Sequence, residues 1–439
     1  MKKLTFLLIL VILVITQVSP VSASNTIRVY YAGPEQSSVR TALGLTDDFT
    51  LVDDTAQADV FVLNSIIPDP QAIAARLEAG AGLVLILGPN LTSTEVETLL
   101  GFPVSLERRD DPASLTGLTG VSDPLLTEII WNGAPQVRAR YEVMTPISAL
   151  QPLVIGYEDN SWVLWSAHGE KAFIFNAFLT DDYNPQIREW AYFNYLIYHL
   201  VERAAGRTPL SFADYPASPV PHAAEHNLLL AVMGLMLITT FSAFFFVRRY
   251  SLKHPEALDK IVSDRSRFEV RAAKTEWEEV GFHRPLGGFL VALSIGLVLF
   301  IPLIIYQNLI LPTYILPSAQ ALGIWGRVVQ FFNLAWTFFD MGTSIAFIKY
   351  LSQYRVHDPK KGIQYGQVFV WWQILSGAVQ VTLVVGLAST MAPRSAYALY
   401  AWSVIIHALI QIPGCYQVMR HALTGFQRLD YSRLLDIGL

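Results

Sequence analysis

Asn333, Thr337, Asp340 and Ser344 fall at positions i, i+4, i+7 and i+11. That spacing puts four polar side chains on one face of a helix. The surrounding stretch "LAWTFFDMGTSIAFIKY" is otherwise mostly Phe, Leu, Ile, Ala and Trp. A carboxylate in hydrocarbon costs roughly 2.5–3.5 kcal/mol on insertion scales, so such a stripe is expected to face other helices or a watery cavity. Two chemistries remain open for Asp340. It lines a transport path, or it accepts hydrogen bonds from a neighbouring helix and holds packing. Arg327 lies elsewhere on the wheel, near the outer end of the run. It either faces the same cavity or extends its stem outward to the interface.

Other chemistry is sparse. Cys415 is the single cysteine and lies in an apolar run. No disulfide can form within the chain, and neither a thiolate metal site nor a cysteine nucleophile is expected outside the membrane. No metal site, no cofactor and no catalytic set is expected. His168 and the pair Asp181–Asp182 read as solvated loop residues rather than a site. Asn90 begins an "NLT" sequon, which would carry little weight were the source bacterial, as expected.

The elements that position these residues follow from composition. The chain has 439 residues, of which 52% are hydrophobic. Its second half contains several nearly uncharged runs of about 20 residues, the length of a bilayer-crossing helix. Residues 25–226 hold 25 acidic against 11 basic side chains, a balance of −14 that leaves +9 for the rest of a chain whose total is −5. An acidic part is thus joined to a basic, apolar part. Nucleic acid is excluded as a partner, because the soluble part offers no basic face.

The N-terminus reads as a signal peptide, 1–24: Lys2 and Lys3, the apolar core "LTFLLILVILVIT", then small residues up to Ala23. Residues 25–212 alternate β-rich and helical stretches and predict an α/β domain with a mainly parallel sheet. "DPQAIAARLEAGAGLVLILGPN" predicts helix, glycine break and buried strand; "TSTEVETLLG" a capped helix ending on glycine. "SWVLWSAHGEKAFIFNAFL" predicts a hairpin, and "NPQIREWAYFNYLIYHLVERAAG" one amphipathic helix closed by Gly206. Residues 213–227 form a proline-rich linker. A first membrane helix spans 228–247, a charged cytoplasmic segment 248–285, and four more runs lie near 286–311, 323–347, 366–391 and 396–419. Basic residues concentrate in 248–285, 348–365 and 420–433, while the alternate loops hold only Arg394. The positive-inside rule then places 25–226 on the outer side of a multi-pass protein of the cytoplasmic membrane, as the signal peptide requires.

Two resemblances add to this reading. "RLEAGAGLVLILGPN" with "GEKAFIFNAFLTDDYN" resembles the class I glutamine-amidotransferase-like fold over much of 25–205. Active members carry a cysteine on a sharp turn after a strand. Its absence here implies a non-catalytic domain that binds or positions a cell-envelope glycan or protein. "LAWTFFDMGTSIAFIKYLSQYR" resembles the second transmembrane helix of polysaccharide and O-antigen flippases of the multidrug/oligosaccharidyl-lipid/polysaccharide exporter superfamily. "LTGFQRLDYSRLLDI" is similar to that family's loop between its fourth and fifth helices, with Gly425, Phe426, Gln427, Arg428, Leu429 and Asp430 in the pattern. This resemblance covers residues 286–439 and implies translocation of lipid-linked oligosaccharide by alternating access. Asp340, Asn333 and Thr337 would line the cavity, and Arg327 would meet the pyrophosphate of a polyprenyl carrier. The rival expectation is a membrane-anchored binding or scaffold module without transport. Family members have two lobes of helices, and 286–439 is most of one, so a longer gene product is expected.

Overall fold

The computed structural model describes residues 26–144, 150–179, 183–256, 283–316, 318–340, 342–411, 415–425 and 432. The expected signal peptide, the stretch 257–282 of the charged segment, Asp181 and Asp182, and 426–430 of the "GFQRLD" motif lie outside the described residues. The chain divides between His222 and Ala223 into two compact units.

In the first unit, β1 (Ile27–Ala32), β2 (Phe49–Val52), β3 (Val60–Asn64), β4 (Gly82–Ile86), β6 (Leu115–Gly117), β8 (Gln151–Gly156), β9 (Trp162–Ala167) and β10 (Ala172–Phe175) form one sheet. Their order is β2-β1-β3-β4-β10-β9-β8-β6. Pairing is parallel from β2 to β10 and antiparallel from β10 to β6. β5 (Ser105–Arg109) and β7 (Arg140–Met144) pair as a separate antiparallel ribbon. β3 and β4 are buried at every residue. Their unbroken apolar runs suit strands covered on both faces.

The helices between them start and stop where local chemistry dictates. α1 (Ser38–Leu43) is capped by Ser37, and α2 (Pro70–Glu78) by Asp69 with proline in its first turn. α3 (Ser93–Leu100) begins with a Thr92–Glu95 capping box and ends on Gly101 at φ +76°. These caps satisfy amides that the first turn leaves unpaired.

Two expectations are corrected here. The segment around 184–206 is not one amphipathic helix. α5 (Pro185–Arg188) is followed by a break and then by α6 (Phe193–Ala204). α6 is buried around nearly its whole circumference, because it packs against β3, β4 and β10 and is covered by the proline-rich stretch after it. That stretch, expected as a linker over 213–227, is folded in its first half: Ala213, Tyr215, Ser218 and Val220 are all buried. α4 (Pro124–Glu128) completes the unit.

The second unit is helical. α7 (Ala223–Lys253) is followed by α8 (His283–Ile305), which continues as a π-helical segment, Tyr306–Ile315. Then come α9 (Ala319–Asp340), α10 (Thr343–His357), α11 (Pro359–Thr390), α12 (Ala401–Ile410) and α13 (Cys415–Gly425). Among the described residues, three stretches are long and apolar enough to cross a membrane: Ala223–Lys253, Gly296–Ile315 and Lys360–Arg394. The expected single runs 323–347 and 396–419 are each interrupted. Gly342, at φ +74°, ends the first as a helix, and α12 stops at Ile410. A left-handed residue cannot continue a right-handed helix.

Met233 of α7 packs with Val381, Val385 and Ala388 of α11 and Ile405 and Ala408 of α12. A second cluster joins Phe347 and Leu351 of α10, Phe369 of α11 and Val418 of α13. The Phe347 and Phe369 rings stack at 4.4 Å. Gly425 sits so close to α10 that a Cβ there would lie 2.8 Å from Leu351. The motif glycine therefore acts as a packing residue.

Candidate functional site

Asp340 is the last residue of α9, and its carboxylate reaches forward into the first turn of α10. Its Oδ1 accepts from the Thr343 hydroxyl at 3.0 Å, the Ser344 hydroxyl at 2.5 Å and the Ser344 amide at 3.2 Å. Gln373 of α11 points its amide nitrogen at the same group, 3.5 Å from Oδ1 and 3.3 Å from the Thr343 hydroxyl. The break leaves the first amides of α10 without helical partners. A carboxylate placed there answers one of them and suits the positive end of the helix dipole.

This geometry revises the expected stripe. Asn333 is exposed on α9, and Thr337 lies on the same helix, its side chain outside the described part. Ser344 is not a further rung on that face. It belongs to α10 and meets Asp340 by capping. Arg327 lies on α9 and donates to the Tyr400 hydroxyl at 3.4 Å. Asp340 and Ser344 are thus brought together, and Gln373 and Thr343 join them. Gln373 is legible by the same logic as Asp340, being a polar residue in the apolar run "VFVWWQILSG". His407 of α12 escapes sequence reasoning. It is buried under Phe332, at a ring distance of 4.6 Å, and Trp325, at 5.6 Å.

In the α/β unit, the carboxyl ends of the parallel strands are where ligands bind in doubly wound sheets. Here the chain leaves β3 through Ser65, held at φ +64°. It leaves β4 through Gly88, where a Cβ would come 2.0 Å from the Ser65 hydroxyl. Tyr141 closes this edge from β7 by donating its hydroxyl to the Gly88 carbonyl at 2.9 Å. Beside it, the Tyr31 and Ser37 hydroxyls lie 2.5 Å apart, and Asn64 donates to Tyr31 at 3.4 Å. Asn64 and Ser65 are buried. Among the described residues no carboxylate or imidazole is hydrogen-bonded to Ser65; its hydroxyl lies 3.4 Å from Asn64 Oδ1. His168 occupies the β9–β10 turn and bonds the Leu100 carbonyl at 3.0 Å. That contact is structural.

The strongest electrostatic perturbations lie on α6. His199 is 1% exposed, and among the described residues neither ring nitrogen has a hydrogen-bond partner. Burial, and then the nearby Arg203 guanidinium, push its imidazole down to about 4. Asp123 already holds Arg203 through two contacts of 2.8 Å. One turn on, burial pushes the Glu202 carboxyl up to about 7. Both groups are therefore neutral inside the fold near pH 6.

No family model and no curated protein matches the chain. Among solved structures, the chain is similar to a GMP synthase subunit from Thermoplasma acidophilum, at 9% identity and a TM-score of 0.30, over 42% of this chain and 96% of that one.

Proposed function

We propose that the helical unit translocates a lipid-linked oligosaccharide across the cytoplasmic membrane, with the α/β unit on the outer side as a non-catalytic module. The observation that carries the reading is the break at Asp340–Gly342. It is a polar interruption between the largely apolar α9 and the mixed α10, with Asp340, Thr343 and Ser344 meeting Gln373 of the apolar α11. Broken helices and buried polar groups at membrane depth are where transporters place their cargo and ion contacts. The resemblance of the α9–α10 sequence to the flippase helix supports the same reading, with Arg327 and Asn333 as further cargo contacts. The partners are membrane lipids, a polyprenyl-pyrophosphate-linked glycan, and a glycan or protein of the cell envelope at the α/β unit.

A second reading is favoured by the bonding of Asp340 itself. Its Oδ1 is engaged by its own neighbours, as in a helix cap, which suits a membrane-anchored binding or scaffold module without transport. One experiment separates the two. Asp340→Asn keeps the Oδ1 acceptor and so keeps the break, but removes the charge. Glycan export is expected to fall at an unchanged protein level. Normal export by a well-expressed Asn variant makes Asp340 a packing residue and removes the site from the transport reading.

A further inference from the structure

Residues 207–222, "RTPLSFADYPASPVPH", combine two opposed characters. Pro209, Pro216, Pro219 and Pro221 with small polar residues make an extended tether by composition. Yet Tyr215 and Val220 are each 1% exposed and Phe212 3%. The side chains that fold it down are aromatic. Phe212 lies 4.5 Å from the Tyr192 ring and 5.3 Å, edge-on, from Tyr195. Tyr215 lies 5.2 Å from Tyr195 and 5.3 Å from Tyr198. The Tyr195 hydroxyl donates to the Leu210 carbonyl at 3.0 Å, and the Phe212 amide donates to Glu128 at 3.1 Å.

Much of the remaining bonding is internal to the segment. The Asp214 and Tyr215 amides reach the Ser211 carbonyl, and the Ser218 amide reaches the Tyr215 carbonyl, each at 3.0 Å. The Ser218 hydroxyl bonds the Phe212 carbonyl at 2.5 Å. The segment pairs with no strand, and its prolines bring no amide to be satisfied. At its start Gly206 sits at φ +76°, a natural pivot. At that start the Arg207 amide is tied to the Glu202 carbonyl of α6 at 2.9 Å. A piece held beyond that point by a few side chains and two outward hydrogen bonds, and hinged at a glycine, is the kind that opens below the free energy of global unfolding.

We infer that residues 207–220 form a clasp that detaches from α6 as a unit while the sheet stays folded, and so set the length of free chain between the α/β unit and α7. With the clasp closed, Pro221 and His222 alone separate Val220 from the start of α7 at Ala223. With it open, residues 207–222 are all released. At ~3.1 Å per residue for a proline-rich chain they span about 50 Å. The inference concerns the connection between the units and stands apart from the translocation reading.

Amide hydrogen exchange on the intact chain in detergent micelles tests it. The amides of Phe212, Ala213, Tyr215 and Ser218 are expected to exchange through an opening far more frequent than that of Val60–Asn64 and Gly82–Ile86, with little denaturant dependence. Tyr195→Phe, which removes the bond to Leu210 and keeps the ring, should speed the clasp amides about five-fold. Tyr215→Ala should speed them about 100-fold. Both variants also lower global stability, so the discriminating variant lies in the sheet: Val62→Ala, at a fully buried β3 position, should speed the β3 and β4 amides and leave the clasp amides unchanged. The inference is overturned if clasp and sheet amides exchange with one rate and one denaturant slope, or if Val62→Ala speeds both sets equally.

Discussion

His199 and Glu202 stand three residues apart on α6 with their usual order of proton affinity inverted: the carboxyl holds its proton to about 7 and the imidazole sheds its own at about 4. Because the His199 value is depressed, its contribution to stability is present above about 6.5 and is lost as pH falls toward 4. Because the Glu202 value is raised, its contribution is fully present below about 4.5 and is lost as pH rises through 7. Between 4.5 and 6.5 the two slopes oppose, so the stability of the α/β unit should be nearly flat there. Single substitutions should expose each slope. His199→Phe should leave stability falling by about 3 kcal/mol as pH rises from 4.5 to 7, and Glu202→Gln should leave it falling by a similar ~3 kcal/mol as pH falls from 6.5 to 4. Denaturant titrations followed through the β3 and β4 amides measure both; a steep wild-type slope across that window refutes the inversion. A second residue-scale test concerns Gly88, where a Cβ would collide with Ser65. Gly88→Ala should cost about 1–3 kcal/mol, and Ser65→Gly should restore part of it by removing the two side-chain contacts and a left-handed non-glycine residue, while the contact with the Cα of residue 65 at 2.7 Å remains. Equal cost in the single and double variants, by thermal unfolding, would refute the contact.

At the scale of elements, local chemistry is legible in the sequence and tertiary choices are not. The α2–β4 pair, the cap of α3 and the β9–β10 hairpin each follow from residues within the element: Asp69 before Pro70, Thr92 with Glu95, and a His168–Gly169–Glu170 turn in which all three residues take positive φ. The division of α5 from α6 and the folding of 207–220 onto α6 depend on neighbours distant in sequence. Composition therefore points to a linker where packing makes a clasp. The break between α9 and α10 lies between these cases. Gly342 is visible, but spacing alone makes Asp340 a rung of one continuous face, whereas in the structure its carboxylate caps the next helix. Gly342→Ala should therefore destabilise the break by roughly 1–2 kcal/mol, the cost of an L side chain in the left-handed region. Asp340→Leu should lose about 1 kcal/mol of capping, which Asp340→Asn should not. Thermal unfolding in detergent should rank the three with Asn the mildest; a Leu variant as stable as wild type would show that the cap contributes nothing.

For the molecule as a whole, fold class is legible because the two units differ in composition: one acidic and mixed, the other basic and apolar. What the polar break does is not legible, since a capping carboxylate and a cargo contact need the same residue at the same place. Sidedness is directly measurable. With Cys415→Ser as background, Tyr157→Cys, at a site 73% exposed, should react with an impermeant maleimide applied to intact cells. Lys360→Cys should react only after permeabilisation. The opposite pattern would reverse the proposed orientation and with it the direction of transport.

The position of β10 bears on how the protein is made. β4 lies in the middle of the sheet, yet its partner on one side, Ala172–Phe175, is synthesised long after it, with the β5–β7 ribbon and the β8–β9 strands intervening. A growing chain emerges from its N-terminus. Until residue 175 has emerged, Gly82–Ile86 is an unpaired, wholly apolar edge, open to pairing with any neighbouring chain. Nascent chains halted between β4 and β10 should therefore associate with one another or with a holding chaperone, and release should coincide with the arrival of four residues, Ala-Phe-Ile-Phe.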